Sequence, residues 1–337
     1  MQTDTSAPRH GRAWIWTGHA DPLSLELKTV DAPPLASREV LVRNAVIGLN
    51  PVDWKMLRGD HAGWRAGKIP GVDGAGIVAA VGADVEPHWL GKRVAYHTSL
   101  AKPGSFAEYT PVAARALLSV PAGVSWESAA SVPCPALTAC LALDKLPDRK
   151  GARLLISGAG GAVGLYALQL AVRRGFEVDV MCHPRHWARL HELGAGACFE
   201  GALDASSMWP TQNEGRYFAI LDSVDGAHAA RLAPAISANG HLVCVQGRVQ
   251  DWPSEPFGVS LSLHEVALGA LHRYGNDADW ARLVAMGVDF LDLVDHSQLR
   301  IETHIVGDFE SLAERLDALK HRSFSGKSLI AVRSDTP

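Results

Sequence analysis

The stretch Ser157-Gly158-Ala159-Gly160-Gly161-Ala162-Val163-Gly164 lies between a short apolar run, Arg153 to Ser157, and a helical one, Val163 to Arg174. A glycine-rich turn joining a buried strand to a helix is the entry of a dinucleotide-binding βαβ unit. Ala159 permits a tight turn, Gly161 lets the backbone approach a pyrophosphate, and Gly164 lets the helix pack on the strand. Amides at the helix start then face the phosphates. The plainer reading is a glycine-rich connection with no ligand.

The pattern around this turn sets the architecture. Glu177 to Met181, Phe218 to Leu221 and His241 to Val245 read as strands. His186 to Leu193 reads as a helix ending at Gly194. Such alternation predicts a parallel sheet with helices on both faces. Before it, Trp126 to Leu143 is helical, broken by Pro133 and Pro135, with Ser125 as N-cap. The first third differs. Glu39 to Val46 alternates polar and apolar residues, and Ile77 to Val81 and Gly91 to Tyr96 read as further strands. Short strands between Gly and Pro suggest a small barrel. Near the end come helices over Asp279 to Leu293 and Glu310 to Lys320, then a strand after Gly326.

Cofactor choice depends on the end of the second strand, Val180-Met181-Cys182-His183-Pro184-Arg185-His186. An acid there binds ribose hydroxyls, whereas cationic groups accept a 2′-phosphate. Arg185 and His183 fit the phosphate, with Arg189 one helical turn beyond. Arg185 also reads simply as a solvated residue at a helix start. Asp179 is the one nearby acid and stands two or more residues early; the alternative keeps it as the acid of an NAD site.

Composition excludes several classes. The chain has 337 residues, 20% of them charged, and a formal net charge of -4. That gives no basic face for nucleic acid. No apolar run reaches the ~18 residues of a membrane helix, and Met1 to Gly11 lacks a signal-like core. The five cysteines form no C-x-x-C pair, and none precedes Cys134. A reducing cytoplasm is the expected setting.

Five segments in order resemble the medium-chain dehydrogenases/reductases: Asn50-Pro51-Val52-Asp53, Pro70 to Gly76, Gly104 to Tyr109, Ala159 to Gly164, and Gly326-Lys327-Ser328. They span about Trp14 to Val332. The resemblance implies an α/β chain with a GroES-like β-barrel catalytic domain (1–125 and 273–337) and a doubly wound Rossmann domain between them (126–272). It implies a small-molecule electrophile as substrate and a homodimer, with an edge strand in the apolar stretch Leu261 to Leu271. It also implies cofactor contacts at Thr138, Ala159, Gly160, Gly161, Ala162, Val163, Gly164, Ser223, Gln246, Gly247 and Lys327, besides His183 and Arg185.

The departures from the zinc alcohol dehydrogenases matter most. Those enzymes resemble this chain with a Cys at Asn50, a His at Val72 and a third ligand at Cys134. One thiol alone does not hold a catalytic zinc, which needs about three protein ligands. The cysteines of the structural zinc are missing too, so no metal is expected. Without a Lewis acid, an electrophile already activated by conjugation is the easier substrate. The resemblance is closest to the zinc-free quinone and alkenal reductases, using NADPH. Quinone reductases often carry a Tyr where this chain has Lys55. In this reading Asn50 contacts the nicotinamide ribose or substrate oxygen, and Lys55 donates to a developing enolate. Tyr96 or water supplies a proton, although Tyr96 also reads as packing. Asp53 reads equally as a turn-stabilising carboxylate and a site residue. Trp54 and Trp64 wall an apolar pocket or simply pack. The rival readings are an NADPH-binding sensor without turnover and a zinc-free alcohol dehydrogenase.

Overall fold

The computed structural model describes residues 9–59, 63–210, 214–322 and 324–332. The chain runs β1 (His10–Ile15), β2 (Glu26–Asp31), β3 (Glu39–Gly48), α1 (Pro51–Met56), β4 (Asp73–Val81), β5 (Arg93–His97), β6 (Tyr109–Ala113) and β7 (Leu117–Ser119). Then come α2 (Trp126–Ser131), α3 (Pro133–Asp144), β8 (Arg153–Ser157), α4 (Ala162–Arg173), β9 (Glu177–Met181), α5 (Trp187–Glu192), β10 (Ala195–Phe199), β11 (Tyr217–Asp222), α6 (Gly226–Leu232), β12 (Ile236–Cys244) and β13 (Ser262–Glu265). It closes with α7 (Ala270–Tyr274), α8 (Asp277–Asp295), β14 (His304–Asp308), α9 (Leu312–Lys320) and β15 (Lys327–Ala331). Two compact units result: Met1–Cys134 with Gly269–Pro337, and Pro135–Leu268. Their joints fall at Cys134/Pro135 and Leu268/Gly269, where the sequence places them at 125/126 and 272/273.

The first unit is a barrel-like sheet in the order β14-β15-β3-β4-β5-β7, with β6 also on β3. Both chain ends build it, because β15 pairs antiparallel with β3. Trp14 ties the ends further, its Nε1 donating to the Phe309 carbonyl at 2.9 Å. Trp14, Ile47, Phe106, Phe309, Leu312, Leu316 and Ile330 share one apolar cluster. The periodicity of α9 turns Leu312 and Leu316 into it, both fully buried, each contributing about 1.5–3 kcal/mol. A sequence break divides the helices as expected: Ser125 caps α2 through the Ser128 amide, and Pro133 opens α3.

The second unit is a parallel sheet in the order β10-β9-β8-β11-β12-β13. Counted from β8 this is 3-2-1-4-5-6, the doubly wound dinucleotide-binding order. β8 and β11 are buried almost throughout, which is why they read as continuous apolar runs. The edge strand β13 is only four residues long, and α7 begins at Ala270, so little of Leu261 to Leu271 is strand. Strands β1, β2, β10 and β14 carry too weak an alternation to be read from sequence. Among the described residues no helix is long and apolar enough to cross a membrane.

Candidate functional site

In the second unit the turn after β8 is made by Gly158, at φ +75°. Ala159 is fully buried beside it, so the tight turn expected at Ala159 falls one residue earlier. Only glycine adopts that conformation cheaply. Gly161 is the N-cap of α4, and a Cβ built there meets nothing closer than Gly158 O at 3.7 Å. Gly164 is the opposite case: a Cβ would lie 2.5 Å from Ala159 Cα. The first glycine leaves room for a ligand and the second leaves none between helix and strand. Ala162 and Val163 begin α4, and Gly160 is covered by the His186 ring. Ser223 follows β11, its amide donating to Ser157 O at 3.2 Å, and both serine hydroxyls are buried without a partner among the described residues. Gly247 has φ +84° and open space where a side chain would go. Gln246 lies beside it, and Thr138 is buried in α3. Open glycine faces and orphaned hydroxyls at the carboxyl ends of parallel strands fit a dinucleotide.

The basic residues after β9 form one corner. His183 Nδ1 accepts from the Arg185 amide at 3.2 Å, and Arg185 Nε donates to His186 Nε2 at 3.0 Å. Arg189 reaches back to the Gly160 carbonyl at 3.4 Å. Arg185 and His183 are exposed. Asp179 is committed elsewhere. It receives Arg153 at 2.7 Å, Arg216 at 3.2 Å, the Tyr217 hydroxyl at 2.8 Å and the Ala197 amide at 2.8 Å. Burial alone would raise its carboxyl, but these donors outweigh it and hold the group below the ordinary value. The reading of Asp179 as a ribose-binding acid is therefore corrected: it is a buried ion-pair centre in the middle of the sheet.

In the first unit, a buried polar cluster forms around α1. Asn50 and Asp53 make a capping box, with Asp53 Oδ2 accepting from the Asn50 amide at 2.7 Å. The Asn50 side chain bridges two charges. Its Oδ1 accepts from Lys327 Nζ at 2.5 Å, and its Nδ2 donates to Asp73 Oδ2 at 2.9 Å. Ammonium only donates and carboxylate only accepts, so the amide orientation is fixed. Asp73 Oδ2 also accepts from the Cys134 amide at 2.9 Å. Burial pushes the Asp53 carboxyl up to about 8 and the Asp73 carboxyl to about 6. Lys327 thus lies inside the barrel unit, joined to Asn50, a partnership that nothing in the motif Gly326-Lys327-Ser328 announces.

Other expectations change. Tyr96 is fully buried and donates to Asn44 Oδ1 at 2.6 Å. Its ring lies over Gly74, so it faces the opposite side of the sheet from Asp73, and burial raises its pKa far above the ordinary tyrosine value. Its placement is that of a packing residue, on the face of β5 away from Asp73. Lys55 is two residues beyond Asp53 on α1 and so points the other way, outward, near Arg58 and Arg322. The structure does not bring it to Asn50. Trp54 and Trp64 both pack on the apolar cluster of α9; Trp64 meets Trp16 edge-on at 5.5 Å and donates to the Leu100 carbonyl at 2.8 Å. Among the described residues no three His, Cys, Asp or Glu side chains converge as a metal site.

Residues 36–122 match the family model described as the alcohol dehydrogenase GroES-like domain. A trans-enoyl reductase of Thermothelomyces thermophilus is 30% identical, over 98% of this chain and 99% of its own. A chloroplast envelope quinone oxidoreductase homolog of Arabidopsis thaliana is 30% identical over 65% of this chain and 69% of its own. Among solved structures, the quinone oxidoreductase of Coxiella burnetii superposes with a TM-score of 0.78 at 23% identity, covering 96% of this chain and 100% of that one. A cobalt- and zinc-bound alcohol dehydrogenase of Pyrobaculum aerophilum gives 0.78 at 22%, covering 96% and 99%. Likeness at that identity is likeness of fold; metal use resides in the side chains. A glycine-rich turn on a 3-2-1-4-5-6 sheet, carried by a chain whose two ends build a barrel, defines a nicotinamide-dependent oxidoreductase. The chain belongs to the medium-chain dehydrogenase/reductase superfamily.

Proposed function

We propose that the protein is an NADPH-dependent reductase of conjugated electrophiles, enals and enones foremost and quinones as well, working without zinc. The observation that carries the cofactor choice is the corner after β9. His183, Arg185 and Arg189 gather beside the glycine-rich turn, while the one nearby acid, Asp179, is consumed by Arg153 and Arg216. Arg185 and His183 would hold the 2′-phosphate, the amides of Gly161 to Gly164 the pyrophosphate, and Ser223, Gln246 and Gly247 the nicotinamide end. The reduced nicotinamide supplies a hydride.

The substrate class rests on the relatives, whose names include trans-enoyl reductases and a 2-methylene-furan-3-one reductase of Solanum lycopersicum, 34% identical over half of this chain. It also rests on chemistry. Asn50 and Val72 stand where the zinc enzymes hold two ligands, and Val72 is fully buried and apolar. Lacking metal coordination, the site suits a carbonyl whose conjugation already spreads the developing charge. Asn50 is saturated by Lys327 and Asp73, so it shapes the site instead of donating to substrate. Pairing of two copies along β13 accounts for an otherwise open sheet edge.

The test is oxidation of NADPH and NADH against a panel of enals, enones, quinones and primary alcohols. Reduction of conjugated carbonyls with NADPH preferred is expected; efficient alcohol oxidation and NADH preference would replace this reading.

A further inference from the structure

Reduction of an enone consumes a proton as well as a hydride, and the residues named so far do not provide one. Tyr96 faces the wrong side of the sheet, and Lys55 points outward. Asp53 is 1% exposed, and its carboxyl is held by the Asn50 amide in the capping box of α1. A donor must be recharged in every turnover.

One pair meets that requirement. His97 ends β5 and sits directly opposite Asp73 in β4, so the two side chains share a face of the sheet. The next amide, Thr98 N, donates to Val72 O at 2.7 Å, fixing the strand end against the Asn50–Asp73 cluster. His97 is 4% exposed, and its Nδ1 lies 3.0 Å from His272 Nε2, the rings stacked at 5.3 Å. His97 Nε2 makes no hydrogen bond among the described residues. His272, on α7, is partly exposed and rests against Trp280 with ring centroids 4.7 Å apart. The buried end thus adjoins the polar cluster, and the other end meets solvent.

We propose that His97 and His272 form the proton route of the reaction, with His97 as the terminal donor and His272 as the relay. This rests on the reductase reading above. A bound reduced nicotinamide would supply the hydride to the β-carbon, leaving the substrate as an enolate. The enolate pair then forms a new C–H bond at the α-carbon with the proton of His97 Nε2–H. As that N–H bond breaks, His97 Nδ1 takes the proton of His272 Nε2–H, and His272 Nδ1 takes one from water, leaving hydroxide; each ring then holds its proton on Nδ1, and exchange with water after product leaves returns both to Nε2–H before the next turnover. One solvent proton is consumed for each hydride. The charged groups facing the pair are Asp73 across β4 and β5, and Arg115, itself paired with Asp277. Burial lowers both imidazoles, His97 well below the ordinary histidine value and His272 to about 4, so each ring is neutral at pH 7 and carries one N–H.

Two measurements test this. In the protein without cofactor, ¹⁵N resonances of the imidazoles should show His97 as the Nε2–H tautomer; the Nδ1–H tautomer would point the bond outward and overturn the proposal. In D₂O, an enone with a methyl group on its α-carbon should be deuterated there on one face. His97→Gln should lose that facial preference and turn over about 10²-fold more slowly, the lower range for a general acid, with the Michaelis constant for NADPH unchanged. His272→Gln still donates to His97 Nδ1 but does not relay, so its first turnover should persist and later ones slow. Unchanged rate and facial selectivity in both variants would remove the pair from the mechanism. A wild-type protein inert toward every enone and quinone would instead defeat the reductase reading, and the tautomer would still report on the pair.

Discussion

Lys327 places its ammonium 2.5 Å from the side-chain oxygen of Asn50, across 277 residues of chain. The bond joins the strand that closes the barrel unit to the helix that opens its polar cluster. Lys327→Met would leave Asn50 Oδ1 without its charged donor in a buried setting. A lost hydrogen bond to a charged group costs about 1.5–3 kcal/mol. Thermal unfolding should show that loss, and an unchanged midpoint would mean that solvent replaces the ammonium.

Asp53 gives a pH dependence of definite sign. Its folded carboxyl titrates near 8, above the unfolded value of 3.8. Between these values the native state holds a proton that the unfolded chain has released. Stability therefore falls as pH rises from about 4 to about 8, by at most about 1.4 kcal/mol per pH unit for one group. Asp53→Asn mimics the protonated form. Denaturant titrations at pH 5 and pH 8.5 should show its advantage growing with pH; a constant difference would place the titration elsewhere.

Arg185→Ala should raise the Michaelis constant for NADPH at least several-fold, from a lost contact of about 1.5–3 kcal/mol, and leave that for NADH nearly unchanged. Equal effects on both cofactors would mark Arg185 as structural.

Gly164→Ala drives a methyl group to within 2.5 Å of Ala159 Cα, where backbone and not a flexible side chain stands. Overpacking of this kind costs about 1–3 kcal/mol. Gly161→Ala meets open space and should fold normally while weakening NADPH binding. Calorimetry together with cofactor titration separates the two; a Gly164→Ala protein as stable as wild type would show that α4 moves freely on β8.

Lys55→Met should change turnover by less than about 10-fold, short of the 10²–10³ expected for a preorganised donor. Its outward position carries this expectation, and a larger drop at constant NADPH affinity would return it to the reacting centre.

The elements with strong local signals were legible before the structure. Arg153–Ser157 carries the apolar run Leu154-Leu155-Ile156, Glu177–Met181 alternates acids with Val178 and Val180, and Ser125 and Pro133 punctuate α2 and α3. What escaped was pairing over distance. Lys55 and Asp53 are neighbours in sequence, and only a helix turns them to opposite sides. His97 and His272, 175 residues apart, carry no motif. Tyr96 looked available because its partner Asn44 lies on another strand. The turn at Gly158 was displaced from Ala159 because the backbone angle, not residue size, decides it.

Asp179 has a consequence for anyone wishing to redesign coenzyme use. Because two arginines, a tyrosine hydroxyl and a backbone amide already claim its oxygens, erasing Arg185 alone would not uncover an acid for a ribose diol. The redesign would need a carboxylate newly installed at Cys182 or His183, beyond the last pairing of β9. The native acid has to stay, since removing it would leave Arg153 and Arg216 facing each other across the sheet.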